Sequence, residues 1–225
     1  MPRPVLVVAN KNYSSWSMRP WVLLTELGIA FDEVQVKLGD GFAERIARWS
    51  PSGKVPVLWV HGEPVWDSLA IAETVAELHP DRGVWPADPA ARRLARSVCA
   101  EMHSGFGALR SAMPMNIRGA YPGCGMSHDV QRDIDRIVAL WAQCRARCGA
   151  GGDMLFGAFS AADAFYAPVV MRFMTYAPAI PAEAQAYCDA VKRLASVRAW
   201  MEAGRAEPDF LAEDEPYAAK APVAR

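Results

Sequence analysis

The chain has 225 residues, of which 52% are hydrophobic, 22% charged and 10% aromatic. This composition excludes a disordered or collagen-like chain and indicates one or two globular domains with a sizeable core. Lys and Arg total 24 and Asp and Glu total 25, so the formal net charge is -1. Such a balance gives no general attraction to nucleic acid or to an anionic membrane, and we expect neither as a partner.

Apolar runs and cysteines indicate the compartment. No run is long enough to cross a bilayer, and the run at residues 5–9 is too short for a secretory signal. The five cysteines are an odd number without a CxxC pair, which argues against a disulfide framework and against a zinc cluster. We therefore expect a cytoplasmic protein with free thiols and no metal.

The first 80 residues alternate strand and helix signals. The apolar run at 5–9 is typical of a strand buried on both faces, and the polar–apolar alternation at 33–38 is typical of a half-buried strand. Between them a helix is predicted from Ser17, its cap, to Leu27, with Gly28 beyond its end. A short helix, a hairpin and a third helix follow and complete the order β-α-β-α-β-β-α, at residues 42–49, 57–66 and 67–79.

The second half has a different pattern. Pro and Gly interrupt any regular element over residues 81–89, and from residue 90 onward only helical periods occur. Ser160 and Asp163 form a capping box that opens one helix, and Ser196 is predicted to cap the last. We therefore expect an α/β domain, a linker, an all-helical domain and a loose tail, at residues 1–80, 81–89, 90–213 and 214–225.

A serine-rich loop joins the first strand to the first helix. In open α/β sheets ligands bind beyond the carboxyl ends of strands, and N–H groups at a helix N-terminus favour an anion. The hydroxyl of Ser14 or Ser15 could donate a hydrogen bond to a thiolate there. Such a bond contributes about 1.5–3 kcal/mol, enough to lower a thiol pKa by about two units when a helix dipole assists. The alternative is that these serines only cap the helix or shape the loop.

Two further motifs suit an extended peptide. Val55-Pro56 directly precedes a strand, and a cis bond there would turn the Val55 N–H and C=O outward, although base rates favour trans. Asp67 and Ser68 stand at a helix start, where N–H groups and a hydroxyl suit a carboxylate and Asp67 suits an ammonium group. An α-amino acid terminus carries both groups. Simple capping is the alternative reading of this pair.

In this order, the three features resemble the glutathione transferase superfamily. Residues 14–19, Ser-Ser-Trp-Ser-Met-Arg, are similar to the Ser-Ser-Cys-Ser-x-Arg signature of its zeta class, which includes maleylacetoacetate isomerases. Residues 54–56, Lys-Val-Pro, resemble its x-Val-Pro element, and residues 67–68, Asp-Ser, resemble its Glu/Gln-Ser pair. Residues 160–163 match the capping box of its helical domain. The resemblance implies a thioredoxin-like N-terminal domain followed by an all-α helical bundle.

The resemblance also implies roles for single residues. Glutathione is the implied co-substrate, and Ser14 is expected to activate its thiol, with Ser15 as the neighbour that could take this role. A homodimer and a cis bond before Pro56 are implied as well. The implied glutathione contacts are Lys54, Val55, Pro56, Asp67 and Ser68.

The second substrate is expected to lie against the helical domain. Methionine side chains suit a permissive apolar pocket, and an arginine suits an acidic substrate. The alternatives are that the apolar candidates belong to the core and that the arginine is solvated or structural. The candidate pocket residues are Trp16, Met102, Phe106, Arg110 and Met113.

One position departs from the zeta signature. Trp16 stands where that signature has cysteine, which argues against isomerase activity and against a redox mechanism with a cysteine there. We therefore expect a glutathione transferase in which a serine hydroxyl favours the thiolate for attack on a small apolar electrophile. The alternatives are a glutathione-dependent isomerase of the maleylacetoacetate type or a peroxidase, and a non-catalytic glutathione-binding scaffold.

Overall fold

The computed structural model describes residues 3–220. Its first part follows the predicted β-α-β-α-β-β-α order, and its second part is helical, so the expected fold class is confirmed. The elements of the first part are β1 (Val5–Val8), α1 (Ser15–Glu26), β2 (Asp32–Gln35), α2 (Phe42–Ile46), β3 (Val57–Val60), β4 (Glu63–Val65) and α3 (Ser68–Leu78).

The strands form one mixed sheet in the order β2-β1-β3-β4. β1 is parallel to β2, with Val7 opposite Val34, and antiparallel to β3, with Leu6 opposite Leu58. A parallel pair needs a crossover, and α1 supplies it. As a consequence, α1 begins at the carboxyl end of the buried strand β1, which is where α/β sheets hold their ligands.

The second part packs its helices around α7. Its elements are α4 (Pro89–Ser104), α5 (Gly107–Ala112), α6 (His128–Cys148), α7 (Ala161–Tyr176), α8 (Ala182–Arg193) and α9 (Ala195–Ala206), followed by two 3₁₀ turns at 212–214 and 218–220. α7 is buried on nearly all faces and packs against α1 and α4. Within residues 3–220, no helix combines the length and the apolar character that a membrane span requires.

The predicted capping box opens α7. The Ser160 N–H donates to the Asp163 carboxylate at 2.9 Å, and the Leu155 N–H and the Tyr187 hydroxyl donate to the same carboxylate at 3.0 and 3.1 Å. Burial raises the pKa of Asp163 to about 6, and these donors oppose that rise. The box therefore joins α7 to α8 and to the loop before it.

Two predicted helix caps are wrong. α1 begins at Ser15 and Ser14 is its cap, because Ser17 is needed elsewhere: its Oγ accepts the buried Ala9 N–H at 3.1 Å. α9 begins at Ala195, and the N–H and hydroxyl of Ser196 donate instead to Glu26 of α1. In both cases the serine satisfies a polar group of another element, which a local pattern does not reveal.

The C-terminal segment differs from the loose tail expected over 214–225. Glu215 accepts hydrogen bonds from the hydroxyls of Tyr13, at 2.6 Å, and Tyr121, at 3.0 Å. Glu207 accepts the N–H groups of Lys11 and Asn12, directly after β1. We call residues 207–217 the C-terminal clasp, because they bind the start of the chain to its end. Residues 221–225 lie outside the described residues.

Candidate active site

A cavity of about 520 Å³ opens at the start of α1, between the α/β part and the helical part. Several predicted site residues line it together: Ser14, Ser15, Trp16, Lys54, Val55 and Arg110. The cavity is also lined by Tyr13, Arg172 and Asp214, for which no role was predicted. The structure thus brings the serine loop, the Val-Pro element and one predicted pocket arginine to the same space.

The two serines of the loop differ in their hydrogen bonds. Ser14 caps α1: its Oγ accepts the Ser17 N–H at 3.4 Å and its hydroxyl donates to Ser17 Oγ at 2.8 Å. Ser15 Oγ accepts a hydrogen bond of 3.3 Å from Arg172, and among residues 3–220 its own hydroxyl has no acceptor. Both hydroxyls are mostly buried and reach the cavity wall, so either can meet a ligand atom there.

Arg172 brings a buried positive charge to the serine loop. Its guanidinium also donates to the carbonyl oxygens of Met113, at 2.8 Å, and Pro168, at 3.3 Å. Burial, and after it the nearby charge of Arg110, lower its pKa to about 10. The group stays charged at neutral pH, and an anion beside Ser15 would be favoured by this charge.

Trp16 contacts two guanidinium groups through its indole ring. The Cζ atom of Arg19 is 4.1 Å from the indole centroid, and that of Arg110 is 4.6 Å from it. The ring of His103 meets the indole edge-on at 5.1 Å between centroids. Arg19 is itself buried, and its Nε and Nη1 have no hydrogen-bond partner among the described residues, so its charge faces the rings of Trp16 and, at 5.1 Å, Phe165. The indole that replaces the signature cysteine is thus a rigid part of the cavity wall.

The peptide bond between Val55 and Pro56 is cis, as the resemblance implies. Among residues 3–220, the backbone N–H and C=O of Val55 have no hydrogen-bond partner. Lys54 is fixed through its backbone, since its N–H donates to Ser50 Oγ and its C=O accepts from that hydroxyl. Its ammonium group has no ion-pair partner in the described part of the chain. Pro56 itself does not line the cavity.

Asp67 and Ser68 lie at the start of α3, outside the lining of the cavity. Asp67 is the cap of α3, accepting the Leu69 N–H at 3.1 Å, and its second carboxylate oxygen is 2.6 Å from His103 Nε2. The Ser68 hydroxyl is buried and has no partner among residues 3–220. The pair is linked to the cavity indirectly, because His103 contacts both Asp67 and Trp16.

Three predicted pocket residues are placed differently by the structure. Met102, Phe106 and Met113 belong to the hydrophobic core of the helical part and do not line the cavity. Met102 lies on α4, whereas Phe106 follows the end of that helix in the left-handed conformation and Met113 stands at the end of α5. The alternative that Met102 and Phe106 are core residues is therefore the observed one.

The clasp completes the cavity wall. The Tyr13 hydroxyl donates to Glu215 and accepts from Arg118 at 2.7 Å, and burial raises its pKa to about 12. One residue before Glu215, Asp214 lines the cavity. Burial and the neighbouring Glu213 raise the pKa of Asp214 to about 6. Tyr13 is therefore held as a neutral structural group, whereas the pKa of Asp214 is raised to about 6.

Arg172 and Asp214 are the functional candidates that sequence reasoning missed. A signal for Arg172 was available, since a lone arginine within the apolar run Val169–Thr175 is rarely buried without a purpose. Asp214 gave no signal, because it lies in a short, polar segment without periodicity. Within residues 3–220, no three His, Cys, Asp or Glu side chains are grouped as a metal site would need.

Comparison with known proteins agrees with this architecture. Residues 13–78 match a family model described as glutathione S-transferase, N-terminal domain, and residues 128–203 match one described as glutathione S-transferase, C-terminal domain. A probable maleylacetoacetate isomerase of Caenorhabditis elegans is 31% identical over 104 residues, which cover 46% of this chain and 48% of that protein. A maleylacetoacetate isomerase of Rhizobium meliloti is 39% identical over 88 residues, 38% of this chain and 41% of that protein. The chain thus spans about half the length, or less, of the curated relatives it matches.

Solved structures with this fold cover the chain more fully. A glutathione transferase homolog from Burkholderia, crystallised with bound glutathione, superposes with a TM-score of 0.70 at 23% identity, covering 91% of this chain and 99% of that one. The beta-etherase LigF of Sphingobium superposes with a TM-score of 0.65 at 16% identity, covering 89% and 99%. Taken with the two family models, which account for both parts of the fold, these findings show that the chain belongs to the glutathione transferase superfamily.

Proposed function

We propose that this chain is a glutathione transferase in which a serine hydroxyl at the start of α1 holds the glutathione sulfur as a thiolate. One observation carries the proposal: Ser14, Ser15 and Val55, with its unpaired backbone groups beside cis-Pro56, line the same cavity. An extended cysteinyl unit can pair with Val55 while its sulfur reaches the serines. The second substrate then enters from the side of Arg110.

Ser14 is the proposed sulfur ligand. Its hydroxyl now donates to Ser17, but Ser17 has a hydrogen of its own and can donate to Ser14 Oγ instead. The Ala9 N–H donates to Ser17 Oγ in both arrangements. Reversing the Ser14–Ser17 bond therefore leaves no buried polar group without a hydrogen bond. The Ser14 hydrogen is then free for the sulfur. Ser15 is the competing donor, because its oxygen accepts from Arg172 and its hydrogen has no acceptor in the part of the chain that the structure describes.

The contacts proposed for the sulfur are strong enough to ionise the glutathione thiol at neutral pH. A free thiol has a pKa of about 8.5, and lowering it by two units requires about 2.7 kcal/mol. One hydrogen bond to a charged acceptor contributes about 1.5–3 kcal/mol, and the first turn of α1 adds about 0.3–1 kcal/mol. The buried charge of Arg172 acts in the same direction. Thiolate is then the main form of bound glutathione at neutral pH.

The remaining glutathione contacts follow the same assignment. We propose that Asp67 holds the γ-glutamyl ammonium group and that the unpartnered Ser68 hydroxyl and the N-terminus of α3 hold its carboxylate. The ammonium of Lys54, which has no ion-pair partner among the described residues, suits the carboxylate at the other end of the peptide. In this arrangement His103 fixes the orientation of Asp67.

A second candidate function is supported by the relatives. Several of them are named maleylacetoacetate isomerase, at 29–39% identity over about half of their length or less. Isomerisation would use the same bound thiolate, added to the substrate and then expelled. Trp16, which occupies the position of the signature cysteine, favours transfer over this reaction.

A homodimer is also proposed from family membership. It predicts twice the chain mass in light scattering.

Conjugation of glutathione to chlorodinitrobenzene tests the proposal. We expect Ser14→Ala to lower kcat/KM about ten- to hundredfold, the loss of one hydrogen bond to an anion. Ser97→Ala, an exposed serine on α4, is the matched control and should keep the wild-type rate. If Ser15→Ala loses activity and Ser14→Ala does not, Ser15 is the sulfur ligand. Glutathione binding without turnover of this substrate, of maleylacetone or of a hydroperoxide would contradict an enzymatic role and favour the scaffold.

A further inference from the structure

The serine loop begins with a tight turn over residues 10–14. The N–H groups of Tyr13 and Ser14 both donate to the carbonyl oxygen of Asn10, at 3.2 and 2.8 Å. Lys11 and Asn12 form the corner of this turn, and their N–H groups are bonded outside it. Because the turn ends on Ser14, its shape determines where the Ser14 hydroxyl lies in the wall of the cavity.

A single carboxylate binds both corner N–H groups. Oε1 of Glu207 accepts from Lys11 at 2.8 Å, and Oε2 accepts from Asn12 at 3.0 Å, across a separation of 195 residues. Successive backbone N–H groups in a turn form a concave site for an anion, and this carboxylate occupies it. Glu207 is itself fixed, since Gln35 donates to its Oε1 and Arg118 donates to its carbonyl oxygen.

Helix α9 meets the same backbone at a glycine. An ideal Cβ on Gly204 would lie 3.1 Å from the carbonyl carbon and oxygen of Lys11 and 3.2 Å from the nitrogen of Asn12. All three atoms belong to the backbone of the turn, so a side chain at Gly204 would press on the turn itself. Glu207 directly follows α9, and the end of this helix therefore supplies both the close contact and the carboxylate.

We propose that Glu207 is a positioning residue for the serine that activates glutathione: by holding the turn, it keeps the Ser14 hydroxyl where it can meet the sulfur. The inference rests on the proposed function, because it needs a thiolate beside Ser14. It deepens that function by assigning part of the activation to a residue outside the lining of the cavity.

The sulfur contact depends on the exact place of its donor. Hydrogen bonds weaken steeply when the donor is misaligned, and a displacement of about 1 Å far from the reacting atoms can lower a rate about a hundredfold. Among residues 3–220, the Glu207 carboxylate is the acceptor of both corner N–H groups. Without it these groups must turn toward water, and the turn must change shape. If Glu207 only tethered the C-terminal segment, its loss would lower stability but leave the bound thiol unchanged.

The test measures the thiol pKa of bound glutathione by ultraviolet absorbance at saturating glutathione, together with kcat and KM for chlorodinitrobenzene. Glu207→Gln places an amide NH₂ opposite one corner N–H, which then has no acceptor. We expect the thiol pKa to rise by about one unit, and kcat at pH 6, where the thiolate is the minor form, to fall about tenfold. Glu202→Gln, an exposed acid on α9, is the charge-matched control and should keep the wild-type values.

Gly204→Ala tests the position of the turn without removing a charge. Alanine favours a helix more than glycine does, so a loss of thiol ionisation in this variant cannot be attributed to a weaker α9. Its Cβ would displace the backbone of Lys11 and Asn12 by a few tenths of an ångström. We expect the thiol pKa to rise in this variant as well, with the helical circular dichroism of the wild type.

The outcomes separate the inference from the proposed function. A folded Glu207→Gln enzyme that binds glutathione with the wild-type thiol pKa would overturn the inference and leave the proposed function standing. If Glu207→Gln does not fold, Gly204→Ala decides, and an unchanged thiol pKa there overturns the inference. A wild-type enzyme whose bound thiol stays protonated at pH 7 would overturn the proposed function and the inference with it.

Discussion

Arg172 donates a hydrogen bond of 3.3 Å to Ser15 Oγ across a separation of 157 residues. Ser15 begins α1 and Arg172 lies in α7, so this bond joins the two parts of the fold at the wall of the cavity. The same guanidinium is tied to two backbone carbonyls of the helical part. The charge beside the serine loop is therefore held rigidly rather than brought in by a mobile side chain.

We expect Arg172→Gln to affect stability and activity together. The substitution leaves the buried carbonyl oxygen of Met113 without its donor, which costs about 1–3 kcal/mol as an unsatisfied buried polar group, whereas the Pro168 carbonyl keeps its helical donor, the Arg172 backbone N–H. It also removes the positive charge that favours an anion beside Ser15. Arg172→Lys should recover part of the activity because it keeps the charge. Chemical denaturation and kcat/KM with an aryl halide measure the two effects, and a Gln variant with wild-type activity would contradict the assigned role.

Trp16 gives a prediction about the departure from the zeta signature. Trp16→Cys restores the signature residue but removes the face on which Arg19 and Arg110 stack, so two guanidinium groups lose a contact of about 0.5–2 kcal/mol each. Trp16→Phe keeps an aromatic face and serves as the control. In thermal unfolding, the Cys variant should have a clearly lower unfolding temperature than the Phe variant. Equal unfolding temperatures would show that the stacking contributes nothing.

Tyr13 gives a prediction that separates structure from catalysis. Its hydroxyl is bound by Glu215 and Arg118 and has a raised pKa, so it should neither ionise nor activate the thiol below about pH 11. Tyr13→Phe should lower the free energy of unfolding by about 1–3 kcal/mol, because the Glu215 carboxylate loses the hydrogen bond from the Tyr13 hydroxyl. Its kcat/KM for chlorodinitrobenzene should fall far less than that of Ser14→Ala. A larger loss in Tyr13→Phe would assign the activating hydroxyl to tyrosine.

The capping box of α7 predicts a large effect on folding. Asp163 is completely buried and accepts from Ser160, Leu155 and Tyr187, so Asp163→Ala leaves several buried donors unpaired. We expect a loss of about 3–5 kcal/mol in the free energy of unfolding, measured by denaturant titration. Glu183→Ala, an exposed acid on α8, is the control. A loss in Asp163→Ala no greater than in that control would contradict the structural role of the box.

Local signals predicted the fold and half of the site. Alternation and apolar runs gave the strands, glycine gave the end of α1, and the family motifs gave the cis bond at Pro56 and the serine loop. The cap of α1 was predicted wrongly at Ser17, because a serine that caps a helix and a serine that accepts a buried N–H look the same in the sequence. Arg172 and Asp214 could not be placed at the site because their neighbours there are distant in sequence, and periodicity shows which residues share a face but not what that face meets.

Ionisation of bound glutathione is the central claim, and ultraviolet difference spectroscopy measures it directly. The thiolate absorbance of the complex, followed against pH, should give an apparent pKa about two units below the value of about 8.5 for a free thiol. In Ser14→Ala the titration should move most of the way back toward the free value. A wild-type complex whose thiol remains protonated at pH 7, or one that titrates identically in Ser14→Ala and Ser15→Ala and in the wild type, would contradict the account.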